Sequence, residues 1–412
     1  MRESDTDPLN LGHHLMIAMG RFAKISNPLI SIAILALAFA MLYAVGIQGV
    51  MKAGPIGDDF MVFYRAGGLF LRGGDPWLAL MNSPQPYSYP PHSLSIIVAF
   101  GLLPQSIALA LHIAICLGAI AAMCYCANQW FLNIKSFRSM TIAQALALAL
   151  IIGNPYTATS LYQGQMTLPV MAALLLSWHF RQKDRWVTAG VFLAFATLKP
   201  QLSVLYVIWL LMSANIGMVL VGGSLAGLMT LPGALLLGPL KPFESWLTSL
   251  GGYSQVSINA PGSPFVVGME SLLVAHGLEP DRLWLILLCL AGTALLFRYR
   301  RHLDQTVILH ALLVLSFTFL YAHDYDYVAV ILLWSYGMMM VLHSASFAKL
   351  SLYAILALGF FIPQRLLRDV DIPLIVHSRT LILAALCLAV IVWSNEISRT
   401  AAPNKRYSSV AA

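Results

Sequence analysis

The sequence predicts an all-α polytopic membrane protein, and three observations carry that prediction. Hydrophobic residues fill 59% of the 412 positions and charged residues only 10%, against roughly 25% charged in a soluble domain. Apolar runs recur from residue 28 to residue 394, which excludes a soluble enzyme held by one anchor. The remaining charges collect in short links between the runs, where they would stay in water at the bilayer surface. The basic residues are spread over several links rather than one patch, so no nucleic acid partner is expected. All five cysteines lie inside apolar runs without a C-x-x-C pair, so neither a disulfide framework nor a zinc site is expected.

One membrane-embedded domain is expected over 28–394, between cytoplasmic polar tails at 1–27 and 395–412. The first tail is polar and mixed, unlike a cleavable signal peptide. The run 29–50 is long enough to span. An outer loop over 51–91 follows, and it holds Asp58, Asp59 and Asp75 together with Arg65 and Arg72. Within it, Phe60, Phe63, Gly67 and Phe70 recur at helical spacing. This predicts an amphipathic helix lying in the membrane interface. Asp59 would stand at its N-terminus, where the helix dipole favours a negative charge, and Gly73-Gly74 would end it. Segment 92–103 is too short to cross a core of about 30 Å at about 1.5 Å per residue, so it reads as a half-helix.

Segment 105–131 spans. Segment 139–153 ends at Asn154-Pro155, and a polar patch separates it from 165–180. Segments 187–198 and 201–213 are short and meet at Lys199-Pro200, which predicts a hairpin whose tip stops at membrane depth. Segment 215–238 spans, 239–264 is a long polar loop, and 265–276 reads as interfacial or re-entrant. Segments 282–297, 303–322, 326–343, 350–363 and 378–394 complete a set of roughly 11–13 helices, spanning or re-entrant.

With the N-terminus in the cytoplasm, the basic links at 133–138, 181–185 and 298–301 fall inside, as the positive-inside rule requires. The acidic loop then faces outward. On that side five groups converge: Asp58-Asp59; Gln163 and Gln165; Lys199; His323, Asp324 and Asp326; and Arg365, Arg368 and His377. Buried or membrane-level charge is costly without a partner, so separated acids, bases and amides on one face mark a candidate site. Outside the cytoplasmic membrane nucleotide sugars are not supplied, whereas lipid-linked sugars are. A transfer from such a donor needs a carboxylate to take the acceptor's proton and cations or hydrogen-bond donors to meet the growing charge on a phosphate leaving group.

The run DFMVFYRAGGLFLRGGDPW, then YSYPP, NPYTATSLYQGQ, the G…LKPQ of Gly190 to Gln201, and HDYDY together resemble glycosyltransferase family 87. The resemblance covers roughly 50–340, in the same order. It implies a GT-C-type bundle and an inverting, polyprenyl-phosphate-sugar-dependent hexosyltransferase, with mannose the leading sugar and a lipid or glycan as acceptor. It implies a bacterial inner membrane location with the site on the periplasmic face. It also implies an acid at the start of the first outer loop as base. That position matches Asp59, five residues before Tyr64; Asp58 is the alternative. Trp77 stands where the family has a different aromatic pattern. Lys199, His323, Arg65 and Arg365 are the expected donor-phosphate contacts. Tyr64, Tyr89, Gln163, Gln165, Asp324 and Asp326 are the expected sugar or acceptor contacts. No cofactor is expected; a divalent metal at His323, Asp324 and Asp326 is the alternative. A lipid-linked sugar flippase or a non-catalytic assembly protein is the rival class. The segment lengths show no inverted repeat, and the charges gather on one side only, which favours an enzyme.

Overall fold

The computed structural model describes residues 24–400 apart from 51, 53, 345, 363–365, 368, 369 and 371. Most of the expected tails, and Arg365, Arg368, Asp369 and Asp371, lie outside the described residues. Among those described, seven helices are long and apolar enough to cross a membrane, and six shorter apolar helices lie between them. The all-α polytopic architecture is therefore present.

Helix α1 (Pro28–Gly46) starts at Asn27, whose side chain accepts from the amides of Leu29 and Ile30. Helix α2 is Phe60–Leu71, α3 Pro76–Leu80, α4 Leu94–Gly101 and α5 Gln105–Ala127. The expected amphipathic helix in the first loop exists as α2. Its apolar face, however, lies on protein rather than lipid: Phe60, Phe63, Ala66, Gly67 and Phe70 are buried. The platform is α4, the half-helix expected at 92–103. The two helices touch through glycines. A Cβ on Gly67 would stand 2.1 Å from the Ile97 carbonyl oxygen, and one on Gly101 2.8 Å from the Gly67 carbonyl carbon.

Helices α6 (Ile142–Gly153) and α7 (Pro155–Gln163) form one span, 142–163, so the polar patch expected as a link is itself helical. Asn154 joins the two helices. Its amide donates to the Leu150 and Ile151 carbonyls at 2.9 and 3.0 Å, and its oxygen accepts from the amides of Tyr156 and Thr157. Pro155, which lacks an N–H, takes the first position of α7, where none is needed.

Helices α8 (Thr167–Gln182), α9 (Trp186–Ala196), α10 (Pro200–Met212) and α11 (Ile216–Leu237) follow, then α12 (Lys241–Tyr253). The expected apolar segment 265–276 divides into strand β1 (Val266–Val267) and helix α13 (Met269–Ala275). β1 finds a tertiary partner that its own sequence does not announce. After α14 (Arg282–Tyr299) and α15 (Gln305–Phe319) comes strand β2 (Ala322–His323), antiparallel to β1, with Val266 opposite His323. A 3-10 stretch, Asp324–Val330, leads into α16 (Ile331–Ser344). Helices α17 (Phe347–Phe361), α18 (Pro373–Val376) and α19 (Ser378–Thr400) end the described chain. The tail expected from Asn395 thus begins as a continuation of α19.

Burial orders the layers. The 324–344 span is 72% buried and stands at the centre, whereas 282–302 is 17% buried and stands at the edge. Leu228, Leu231, Leu235 and Leu288 face outward, as expected for a surface solvated by hydrocarbon.

The α2–α4 contact leaves no room for one more carbon. Gly67→Ala is expected to destabilise the protein by about 1–3 kcal/mol, as overpacking does, and to lower the midpoint of thermal unfolding in detergent. Gly68→Ala, whose Cβ would meet only the flexible Arg72 guanidinium at 3.5 Å, should leave that midpoint unchanged or raise it.

Candidate active site

The site forms where the hairpin tip between α9 and α10 meets the stretch after β2. Pro200 opens α10 and excludes the helical conformation from the residue before it. Lys199 is accordingly extended, with φ −120° and ψ 90°. This turns its side chain into the bundle, where it is 3% exposed. A buried ammonium needs compensation. Lys199 Nζ lies 2.6 Å from Asp326 Oδ1 and donates to Thr167 Oγ1 at 2.6 Å. Thr167 in turn donates to the same carboxylate oxygen at 2.6 Å. The second oxygen of Asp326 accepts from the backbone N–H of His323 at 3.3 Å. Both oxygens of a fully buried carboxylate are thus used, and one group anchors three segments of chain.

His323 is fixed from both sides. Its backbone lies in the β1–β2 pair. Its Nε2 stands 2.8 Å from the Tyr253 hydroxyl and 3.0 Å from that of Tyr321. Its ring stacks on Tyr325, centroids 5.0 Å apart. Burial pushes its pKa down to about 4, more than the nearby Asp326 raises it. The imidazole is therefore neutral at neutral pH, with one N–H to donate.

Asp59 stands at the start of α2 without capping it: its side chain makes no bond to that helix. Main-chain bonds hold it elsewhere. The Asp59 N–H donates to the Gln163 carbonyl at 3.0 Å, and that of Gly57 to the Tyr162 carbonyl at 2.7 Å. The carboxylate accepts from Gln165 Nε2. Burial raises its pKa from 3.8 to about 6; the Gln165 bond lowers it, Asp58 raises it and Lys199 lowers it, in that order of size. The folded value is the raised one. The stability linked to this proton is therefore present below about pH 4 and lost as pH rises through about 6. A carboxylate with such a pKa is suited to take a proton near neutrality.

Between these groups lies a cavity of about 340 Å³, walled by Tyr89, Trp246, Tyr253 and Tyr325, with Lys199 and His323 on its polar side. Asp59 and Asp326 do not line the cavity, but both bear electrostatically on Tyr89, Tyr253 and Tyr325 of its wall. Gln163 Oε1 and Gln165 Oε1 are buried and have no hydrogen-bond partner among the described residues. Gln165 is only 4% exposed, and an unmatched buried acceptor of this kind is completed by a donor such as a hydroxyl.

The structure brings together Asp59, Tyr89, Gln163, Gln165, Lys199, His323 and Asp326 from the residues singled out in the sequence. Four others stand apart from the chamber. Tyr64 donates its hydroxyl to the Leu103 carbonyl at 3.1 Å. Asp58 is exposed and accepts from Gln85 at 2.9 Å, and Arg65 donates to the same Gln85 at 2.5 Å. Asp324 accepts from the N–H of Tyr325 and faces Arg379 and Lys52 electrostatically. Arg365 lies outside the described residues. Among the described residues, no group of three or more His, Cys, Asp or Glu side chains converges to hold a metal ion. Sequence reasoning missed Thr167, Tyr321 and the wall formed by Trp246 and Tyr253. A signal existed for the last two, because they are aromatic residues in a stretch otherwise rich in Gly, Ser and Pro.

The site is a polar and aromatic chamber inside an apolar helical bundle of membrane-spanning type. A model of glycosyltransferase family 87 matches residues 87–344, more than half of the chain, and the chain belongs to that family. It is thus a membrane glycosyltransferase. The match takes in Tyr89, both glutamines, Lys199, His323 and Asp326, and begins after Asp58, Asp59, Tyr64 and Arg65. No curated protein and no solved structure matches the chain.

The Lys199–Asp326 pair gives a direct stability test. Lys199→Met leaves the Asp326 charge buried and is expected to destabilise by about 3–5 kcal/mol. Adding Asp326→Asn removes the stranded charge and should recover a large part of the loss. Thermal unfolding of the two purified variants in detergent checks the order; a double variant less stable than the single one would refute it.

Proposed function

We propose that the protein transfers a hexose, mannose first, from a polyprenyl-phosphate sugar to a lipid or glycan acceptor, on the periplasmic face of a bacterial inner membrane. Asp59 is the base. The observation that carries this reading is the Asp59 carboxyl itself: poised near pH 6 by burial, held by Gln165, and close enough to bear electrostatically on the tyrosines of the chamber wall.

The bond changes balance in one step. The acceptor hydroxyl gives its proton to Asp59 as its oxygen forms a bond to the anomeric carbon. The bond from that carbon to the phosphate oxygen breaks, and polyprenyl phosphate leaves with the electron pair. Attack opposite the leaving group inverts the anomeric centre. His323 and the Tyr253 and Tyr321 hydroxyls around its Nε2 are the donors for the phosphate. Lys199 contributes a field moderated by Asp326, because the two are already paired. Tyr89 and Trp246 offer ring faces to the sugar, and the free oxygens of Gln163 and Gln165 accept from hydroxyls.

Two features support a lipid-linked donor on the outer side. A second cavity of about 350 Å³, lined by apolar residues such as Ile96, Phe100, Val170 and Phe195, adjoins the chamber and shares Leu198 with it. The opposite end of the bundle gathers Arg181, Asp184, Asn215 and Asp304, next to the basic links that the positive-inside rule assigns to the cytoplasm.

Membranes given labelled polyprenyl-phosphate mannose and a lipid acceptor extract provide the test. Asp59→Asn should lower transfer by about 100-fold or more, the scale of a lost general base, while Asp58→Asn should change it little. Equal transfer by wild type and Asp59→Asn would remove Asp59 from this role. The base must be ionised, so kcat/KM for the wild type should rise with pH and level off above about 6; a profile flat from pH 4.5 to 7 would contradict the assignment.

A further inference from the structure

Helix α12 has its polarity turned inside out relative to a helix on a protein surface in water. Its protein-facing side carries Pro242, Ser245 and Ser249, all buried. Its outward side carries Phe243, Leu247 and Leu250, with Leu240 just before it; Leu240 and Leu247 are 68% and 62% exposed. At 3.6 residues per turn each residue advances by about 100°. This places Leu250, Phe243, Leu247 and Leu240 in one arc of about 80°. Lys241, Glu244 and Thr248, also exposed, fill the adjacent arc. The outward surface is therefore split lengthwise into an apolar and a polar strip. A helix exposed wholly to water would not keep the first strip, and one exposed wholly to hydrocarbon would not keep the second.

The apolar strip continues a surface already assigned to lipid. Helix α11 spans 216–237 and ends three residues before Leu240. Its outward Leu231, Leu235 and Leu236 run on into Leu240 and Phe243. Helix α12 thus follows directly on a spanning helix, at the end nearest the chamber.

The inner side of α12 reaches the chamber. Trp246 and Tyr253 form part of its wall, and Leu250, at the edge of the outward strip, touches it as well. Ser245 donates to Asp75 at 2.5 Å, Trp246 Nε1 donates to the Ser88 carbonyl at 2.9 Å, and the Tyr253 hydroxyl meets His323 at 2.8 Å.

We propose that α12 is an interfacial helix lying along the membrane surface on the side of Asp59. Leu240, Phe243, Leu247 and Leu250 sit at the edge of the hydrocarbon, and Lys241, Glu244 and Thr248 face headgroups and water. Lipid therefore steadies the wall that holds Trp246 and Tyr253 against the chamber.

The test uses the full chain in phosphatidylethanolamine–phosphatidylglycerol vesicles, with a nitroxide label on single introduced cysteines at 243, 244, 247 and 248. All four positions point outward and none lines the chamber, so the labels should not disturb packing. Labels at 243 and 247 should relax more with oxygen than with a water-soluble nickel chelate, and labels at 244 and 248 the reverse. Greater nickel access at 243 and 247 than at 244 and 248 would overturn the proposal. This measurement needs no substrate and stands whether or not the chain transfers mannose. A second arm rests on the function proposed above. The double variant Phe243→Asp, Leu247→Asp should lower kcat/KM with a polyprenyl-phosphate donor on the order of tenfold, and detergent extraction should weaken the wild type likewise. If the labels report lipid but the double variant transfers normally, lipid does not steady the wall and that half of the proposal fails.

Discussion

One buried ion pair, Lys199 with Asp326, is the constraint on which the site depends. Neither charge could remain in this interior alone. Together, with Thr167 and the His323 N–H, they tie the α9–α10 hairpin tip, the start of α8 and the end of β2 into one knot. The knot costs desolvation and is not obviously a net gain in stability. Its value is positional: it holds three segments distant in sequence in one register. The extended backbone forced on Lys199 by Pro200 makes this possible, since a helical residue there would point its side chain elsewhere.

Around that knot the groups are tuned by what they lack. Among the described residues Asp59 has one side-chain donor, Gln165, and burial governs its proton affinity. His323 has hydroxyls rather than a carboxylate at its Nε2, and burial keeps it neutral. Asp326, by contrast, is saturated with donors and keeps its charge for structure. Two acids of one site thus take different parts because their neighbours differ, which is how a fold separates a proton acceptor from an anchor.

Much of this was legible in the sequence, and the reason is solvation. Asp59, Gln165, Lys199, His323 and Asp326 stood out because polar groups at membrane depth demand partners. What the pattern could not distinguish was lipid from protein, since both are apolar. The Phe60–Phe70 stripe of α2 reads equally well facing either; only the Gly67–Gly101 contact decides for protein. The same ambiguity hid α12, read as loop, whose leucines lie outside and serines inside. Tyr64 and Arg65 follow Asp59 closely in sequence, yet the turn of α2 carries them away from the chamber. The pairing of Val266 with His323 depends on a partner more than fifty residues away, which no local signal encodes.

Leu198 lines both the apolar cavity and the aromatic chamber, and Lys199 lines only the latter. The frontier between an oily compartment and a polar one therefore falls at a single peptide bond. Thr197 is held back on α9 through the Leu193 and Ala194 carbonyls, and Pro200 begins the next helix. The stretch between them has no slack. Loss or gain of one residue there would exchange the two compartments' linings, so the length of this tip is under tighter constraint than the identity of most residues around it.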